Sequence, residues 1–432
     1  MNIWLIQAGE PITFVDGGNR PFRMEMLTNR FAERGHSVLC WSTNFDHLRK
    51  TFRFCEPCEV SLGSQLRYIF LQANTHYRKS ISIARSRHNR EIADAFRARL
   101  PEEMRPDLII CAIPPLPLAH VATEYAHRHN IPIIIDIRDT WPTSFLKNLS
   151  APFSWIGKFF LRHERCRVRQ ILHHADGIVA LSRNDFKWAL SQADRQRRPW
   201  DAIFPLAYEE PPKQIFSNEQ RREEYLQLIH ATPAHSIITC IGRVGSAFDF
   251  QTVIDLAKQY HSDGRDDVRF VLAGEEPIRR FLQKRYAPVP NLTITGWLDQ
   301  KELHSLLAIT TVGILPYRSI HSSTIRNKPL DFLSMGIPVL SSLGGELAHL
   351  IEAHHFGYTF PPNNSQLLRQ ALDRLLREKK TREQMHINGL RLFREQFSAN
   401  KIFPAFVDYV EKFYHSWQER YAHGNGDCWS SI

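Results

Sequence analysis

The run NKPLDFLSMGIPVLSSLGGELAHLIE, Asn327 to Glu352, gathers the residue types best suited to chemistry. Lys328 and Asp331 fall in the first turns of an expected helix. Gly336 and Pro338 make a turn, a short apolar strand follows, and Gly344-Gly345 opens another helix. A carboxylate one turn into a helix can accept both hydroxyls of a ribose. The unpaired N–H groups of a helix N-terminus, with a cation beside them, can hold a diphosphate. A Gly-Gly turn lets the backbone approach such a ligand closely.

Other residues share that logic. Arg243 directly follows an apolar strand and Gly242, and offers a second cation for a diphosphate. Gly17, Gly18 and Asn19 lie between the first strand's loop and a helix, with amides that can face a phosphate. Arg138 and Asp139 stand just past the strand IPIIIDI, where ligand-handling side chains collect in open α/β sheets. Asp136 reads as facing the sheet interior or capping a neighbour. Arg20, Arg23 and His47 are candidates for the acceptor side. Each has a structural alternative: Asp331 can complement a helix dipole, Lys328 can be solvated, Arg243 can form a rim ion pair, and the double glycine can be a plain turn.

Several classes are disfavoured. There is no P-loop, no GxGxxG after the first strand, no GxSxG elbow and no HExxH. DIRD at Asp136–Asp139 is not an Asp-x-Asp at a strand end, so a metal-dependent nucleotide-sugar site has little support. Seven cysteines, odd and scattered, suit a reducing compartment. Cys55 and Cys58 form a CxxC without a second pair at zinc spacing, and read as loop or strand thiols.

These residues need a scaffold, and the hydrophobic pattern supplies one. IWLIQ, SVLCWST, PDLIICAI, IPIIIDI and DGIVALS are short, nearly continuous apolar runs, as strands buried on both faces require. Helical stretches such as RPFRMEMLTNRFAERGH and LAHVATEYAHRHN separate them. After a polar segment near 206–235 the alternation restarts with SIITCIG, VRFVLAG, NLTITG, VGILPY and PVLSS. The expected architecture is α/β: two Rossmann-like doubly wound domains facing a central cleft, with boundaries at 1–205 and 206–404. The aromatic helix at about 405–432 is expected to pack back onto the first domain.

Charge is distributed unevenly. Of 55 basic and 45 acidic residues, positions 1–200 hold 29 and 19, so the net +10 resides entirely in the first half. Residues 77–100 carry seven basic and two acidic side chains; residues 146–171 carry six and one, interleaved with Phe153, Trp155, Phe159 and Phe160. Such asymmetry indicates an anionic partner. A helix with Phe153, Ile156, Phe159 and Phe160 on one face and Lys158, Arg162 and Arg165 flanking it can lie in an anionic bilayer interface; packing on its own domain is the alternative. No apolar run reaches the ~18 residues of a spanning helix. MNIWLIQAG reads as a first strand, not a signal peptide, which suggests a cytoplasmic start.

With those residues stated, the chain resembles GT-B glycosyltransferases of family 4, and within them the WbuB-like branch that builds bacterial surface polysaccharides. Asn327 to Glu352 is similar to the family's donor signature, P-x-K-x-x-E-(Y/F)-L-A-x-G-x-P-V followed by G-G-x-x-E. PITFVDGGNRPFRMEMLTNRFAERGHSVLCWSTNFDHLRK resembles the branch's acceptor-side loop and helix, and PDLIICAIPPLPLAHVATEYAHRHNIPIIIDIRDTWP its "PD…PP…IPxxxDxRDxWP" stretch. IGRVGSAFDFQTVIDLAK, VLAGEEP and TITGWLDQKELHSLLAITTVGILPYR fall where the family has its later motifs, so the likeness spans about residues 1–415. By this resemblance Glu275, Ser323 and Thr324 join the donor-binding set. There are departures: Ser323 stands where the family has the first acid of its E-x7-E pair, VGSAFDF lacks a lysine after the Gly-Arg, and Cys111, Ala112 and Ile113 replace a histidine near the PD-strand's end.

The resemblance implies a metal-independent, retaining hexosyltransferase that moves a sugar from a nucleotide-diphosphate-sugar to a polyprenyl-diphosphate-linked or growing glycan acceptor. It would be peripheral on the inner face of the cytoplasmic membrane, without a cofactor and without a nucleic-acid partner. Arg138, Asp139, Arg243 and Lys328 would be its catalytic residues. Two alternatives stay open here: a non-catalytic GT-B-like partner subunit, because Ser323 replaces an acid, and a nucleic-acid-binding protein using the basic first half.

Overall fold

A computed structural model describes residues 1–17, 20–146, 155, 157, 159–242, 248–274, 288–318, 325 and 327–422. The chain forms two compact units, Met1–Pro205 with the segment from Ile402 onward, and Leu206–Lys401.

In the first unit the strands are β1 (Asn2–Ile6), β2 (Ser37–Thr43), β3 (Phe45–Asp46), β4 (Thr51–Phe52), β5 (Cys58–Leu62), β6 (Leu66–Leu71), β7 (Leu108–Ile113), β8 (Ile133–Ile137), β9 (Gly177–Ala180) and β10 (Ala202–Ile203). Eight of them form a sheet in the order β10-β9-β8-β7-β1-β2-β6-β5; β3 and β4 pair separately. All sheet neighbours are parallel except β5, which runs antiparallel to β6 at the edge. The apolar runs explain the central strands: every residue of β7 and β8 is buried, as a sheet covered on both faces demands. Trp4 and Trp41 meet edge to face at 5.2 Å, and Phe96 closes on Trp41 at 4.7 Å.

The helices Ile83–Arg99, Leu116–Arg128, Arg162–His174 and Arg183–Ala193 follow β6, β7, β8 and β9, and each packs against the next along one face. Their N-termini therefore lie at the carboxyl edge of the sheet. The aromatic C-terminal helix, Ala399–Ala422, contributes to this unit through Phe406, which receives the Arg23 guanidinium over its ring at 5.3 Å, and through Glu411, 3.1 Å from Arg34.

The second unit holds β11 (Ser236–Gly242), β12 (Val268–Gly274), β13 (Leu292–Gly296), β14 (Val312–Leu315), β15 (Val339–Ser341) and β16 (Gly357–Thr359). They form an all-parallel sheet in the order β13-β12-β11-β14-β15-β16. The sequence reading located the central strands of both units but assigned none of β5, β6, β10 and β16. Among the described residues no helix is long and apolar enough to cross a membrane.

Candidate functional site

The helix Asn327–Ser334 leaves the carboxyl side of β14 and leads into β15, so its first turns stand at the sheet edge where α/β ligands bind. Its apolar residues Leu330, Phe332 and Leu333 are fully buried and lock it in place. Asp331 is only 5% exposed, yet no protein donor among the described residues meets its carboxylate. A carboxylate so enclosed at the sheet edge is suited to accept hydrogen bonds from a ligand's hydroxyls. Lys328, half-buried one turn earlier, lies near enough to β11 to act electrostatically on Cys240, although burial dominates and pushes that thiol up to about 12.

After β15, Ser342 Oγ donates to the Tyr317 carbonyl at 2.8 Å and Ser341 Oγ accepts from Leu343 N at 3.1 Å, tying the loop to the end of β14. Gly344 is half-buried and Gly345 exposed. Gly345 caps the helix Glu346–His354 with φ 68° and ψ −137°, a region in which a side chain is strained. The second glycine of the pair is thus dictated by the backbone path into this helix.

Two further glycines act through aromatic rings. A Cβ on Gly242 would sit 2.3 Å from Phe250 Cζ, so packing alone accounts for that glycine. A Cβ on Gly313, inside β14, would sit 2.6 Å from the Phe332 ring. Gly313 therefore lets Phe332 lie flat on the strand and sets the depth of the helix bearing Lys328 and Asp331. Sequence reasoning passed over it, although a glycine within a strand is itself a signal of close approach. It also passed over Arg318, an exposed cation at the end of β14 whose Nε donates to the Phe248 carbonyl at 2.9 Å. The logic that selected Arg243, a cation just after an apolar strand, would have found it.

At the carboxyl edge of the first unit, Arg138 is held by Glu10 Oε1 at 3.2 Å and Asp136 Oδ2 at 3.1 Å. Asp139, next along, is exposed. Glu10 comes from the loop after β1 and also accepts from Met24 N at 2.9 Å; it was not selected from sequence, for want of a partner to point to it. Arg23 requires a correction. Expected on the acceptor side, it is enclosed: its Nε is 3.1 Å from Asp136 Oδ2 and its Nη1 donates to the carbonyls of Phe204 and Pro205 at 2.9 and 2.8 Å. Its charge neutralises a carboxylate that burial would otherwise strand, and only its buried Nη2 is left without a hydrogen-bond partner among the described residues.

Gly17 ends the short helix Thr13–Asp16 with φ 58°, and Asp16 is clamped by Arg53 at 2.6 Å. Arg20 lies over the Phe22 ring at 5.3 Å. His47 is half-buried with Nδ1 2.7 Å from the Tyr77 hydroxyl. Trp155, Phe159 and Phe160 are 76%, 65% and 74% exposed, and Arg162 is exposed at the start of the helix Arg162–His174. Gly18, Asn19, Lys158, Arg243, Glu275, Ser323 and Thr324 lie outside the described residues. Among the described residues no group of three or more His, Cys, Asp or Glu side chains could hold a metal ion.

Comparison with known proteins bears on this arrangement. Residues 235–378 match the family described as glycosyl transferases group 1. The alpha-D-kanosaminyltransferase of Streptomyces kanamyceticus is 22% identical over 278 residues, 62% of this chain and 68% of that protein. Among solved structures, sucrose-phosphate synthase from Thermosynechococcus elongatus superposes with TM-score 0.72 at 15% identity, covering 96% of this chain and 100% of its own. Anabaena HepE in complex with UDP-glucose gives TM-score 0.61 at 12% identity, covering 95% and 100%. The fold is that of GT-B glycosyltransferases, and the family match with these neighbours supports a group 1 glycosyltransferase.

Proposed function

We propose that this chain is a retaining hexosyltransferase. It takes a nucleotide-diphosphate-sugar in its second unit and passes the sugar to a polyprenyl-diphosphate-linked or growing glycan acceptor of a surface polysaccharide. The observation that carries the reading is Asp331, a buried carboxylate beside Lys328 with no protein donor among the described residues, at a sheet edge of the group 1 region. A ribose offers two hydroxyl donors to such a carboxylate. Lys328 and the amides opening the helix at Gly345, with Arg243 as a further cation by sequence, would serve a diphosphate, and HepE's complex with UDP-glucose is in keeping with such a donor.

In the reaction the sugar C1–O bond to the diphosphate breaks and a C1–O bond to the acceptor hydroxyl forms on the same face. The departing phosphate oxygen takes the hydroxyl proton, so no protein nucleophile is needed. Lys328 and Arg243 stabilise the charge that accumulates on the leaving group, the largest expected term in such catalysis. Because these cations and helix amides neutralise it, no divalent ion is required. Arg138 and Asp139 join Lys328 and Arg243 as catalytic residues in this reading. Exposed Trp155 and Phe159 with Arg162 suit an anionic membrane interface, which supports a peripheral location on the inner face of the cytoplasmic membrane.

The test is Asp331→Asn, with titration of UDP-, GDP- and ADP-sugars by calorimetry. Loss of a charged acceptor to ribose should weaken the preferred donor by about 1.5–3 kcal/mol with the fold intact. Unchanged affinity and turnover would sink the assignment.

A further inference from the structure

The second basic segment of the sequence, 77–100, is left unused by the site above. Residues 78–90 contain five arginines and lysines and no acid. At its head Ile81 is 55% and Ile83 90% exposed. Ile83 is the first residue of the helix Ile83–Arg99, capped by Ser82 Oγ, which accepts from Arg85 N at 3.1 Å. The buried face of that helix is His88, Ile92, Ala93 and Phe96. Nine residues separate Ile83 from Ile92, about 180° of rotation, so Ile83 points directly away from the core. On its outward side stand Arg87 and Arg90, both exposed, and before it Arg78 and Lys79, also exposed. Lys50 adds a cation, with Nζ 3.4 Å from Ser80 Oγ.

Position strengthens the case. Ile83–Arg99 follows β6 and Arg162–His174 follows β8; both pack on Leu116–Arg128, on one face of the sheet. Their N-terminal ends therefore share the carboxyl edge of that face. Ile83 opens its helix on the rim where Arg162–His174, which follows Phe159 and Phe160 in sequence, also begins, with the N-terminus of Leu116–Arg128 between them.

We infer that residues 78–90 form a second membrane-docking element, in which Ile81 and Ile83 enter the bilayer interface and Arg78, Lys79, Arg87 and Arg90 face anionic headgroups. Aliphatic tips ringed by exposed cations, of which Arg87 also meets Glu91 at 3.1 Å, suit a lipid surface, because hydrocarbon buries the isoleucines while the surface potential attracts the charges. A nucleic acid would use the cations and leave the isoleucines in water. This inference deepens the membrane part of the proposed function and rests on it.

The test is flotation of the full chain with vesicles of phosphatidylcholine alone, or containing about a third phosphatidylglycerol, at low and high salt. Four proteins are compared: wild type, Ile81→Ser/Ile83→Ser, Arg78→Gln/Lys79→Gln and Trp155→Ser/Phe159→Ser. Thermal unfolding serves as the fold control, since all of these side chains are exposed. The Ile81/Ile83 pair should lose about tenfold in partitioning to anionic vesicles, by removal of inserted apolar area. The Arg78/Lys79 pair should lose a similar factor at low salt and much less at high salt, where charges are screened. If the Trp155/Phe159 pair loses binding while the Ile81/Ile83 pair keeps it, this second element is overturned and the membrane reading survives. No partitioning by wild type overturns both. Salt-sensitive retention of structured RNA, lost in the Arg78/Lys79 pair while vesicle binding is unchanged, assigns the patch to nucleic acid and overturns the inference.

Discussion

Arg23 Nε and Asp136 Oδ2 lie 3.1 Å apart with side-chain exposures of 2% and 0%, in a buried ion pair that joins the helix Arg23–Glu33 to the end of β8. Arg138 meets the same Asp136 oxygen at 3.1 Å, so one carboxylate serves two guanidinium groups. Through Nη1, Arg23 also binds the last two carbonyls of the first unit's main segment, those of Phe204 and Pro205. A residue that looked available for a ligand is thus part of the frame around Arg138.

Removing it should be severe. Arg23→Leu leaves Asp136 with Arg138 alone and strips two carbonyls of their donor. Breaking a buried pair costs about 3–5 kcal/mol, and the loss should register in urea unfolding of the first unit. A change below about 1 kcal/mol, the range of an exposed pair, would show that water reaches the site.

Gly313→Ala tests the support beneath the donor helix. The new methyl would press on the Phe332 ring, at about 1–3 kcal/mol of overpacking, and should displace Lys328 and Asp331 enough to weaken nucleotide-sugar binding. Phe332→Leu in the same chain relieves the contact and should recover part of the affinity. If the single variant binds donor normally, the ring does not set the helix.

Metal independence is open to a direct measurement. On the proposed mechanism, in which Lys328, Arg243 and helix amides carry the leaving-group charge, turnover should be unchanged in excess chelator. An enzyme silenced by chelator and rescued by magnesium or manganese would redirect attention to the acidic loop around Asp263, Asp266 and Asp267.

Acid should weaken the first unit through His88. Burial among Phe45 and Tyr77 lowers its pKa below the ordinary 6.5, opposed by the Thr75 carbonyl, 2.8 Å from Nδ1, and by nearby Glu91. The neighbouring cationic groups Arg85 and His76 lower it further. The folded state then holds fewer protons than the unfolded chain, so the contribution is complete above pH 6.5 and is lost as pH falls through the folded pKa. Urea midpoints should drop from pH 7.5 toward 5.5, and His88→Phe should flatten that drop while lowering stability at every pH by orphaning the Thr75 carbonyl. An unchanged slope would assign the acid sensitivity to other histidines.

What the sequence by itself determined is what depends on local pattern. The strands β7, β8, β11 and β14 announce themselves because a parallel strand covered on both faces must be almost wholly apolar. The candidate donor segment can be picked out because Lys328, Asp331 and Gly344-Gly345 are close along the chain, and the backbone at Gly345 admits little but glycine. Tertiary structure decided whatever depends on distant partners. β5 has a largely exposed, mixed pattern and exists as a strand because β6 lies beside it. Arg23 and Asp136 are 113 residues apart, so only the fold reveals that one consumes the other's charge. The same holds for Gly313 under Phe332, and for Ile83, an apolar residue that rotation about its helix turns away from the core. Burial and charge compensation are properties of pairs, and pairs distant in sequence are created by folding.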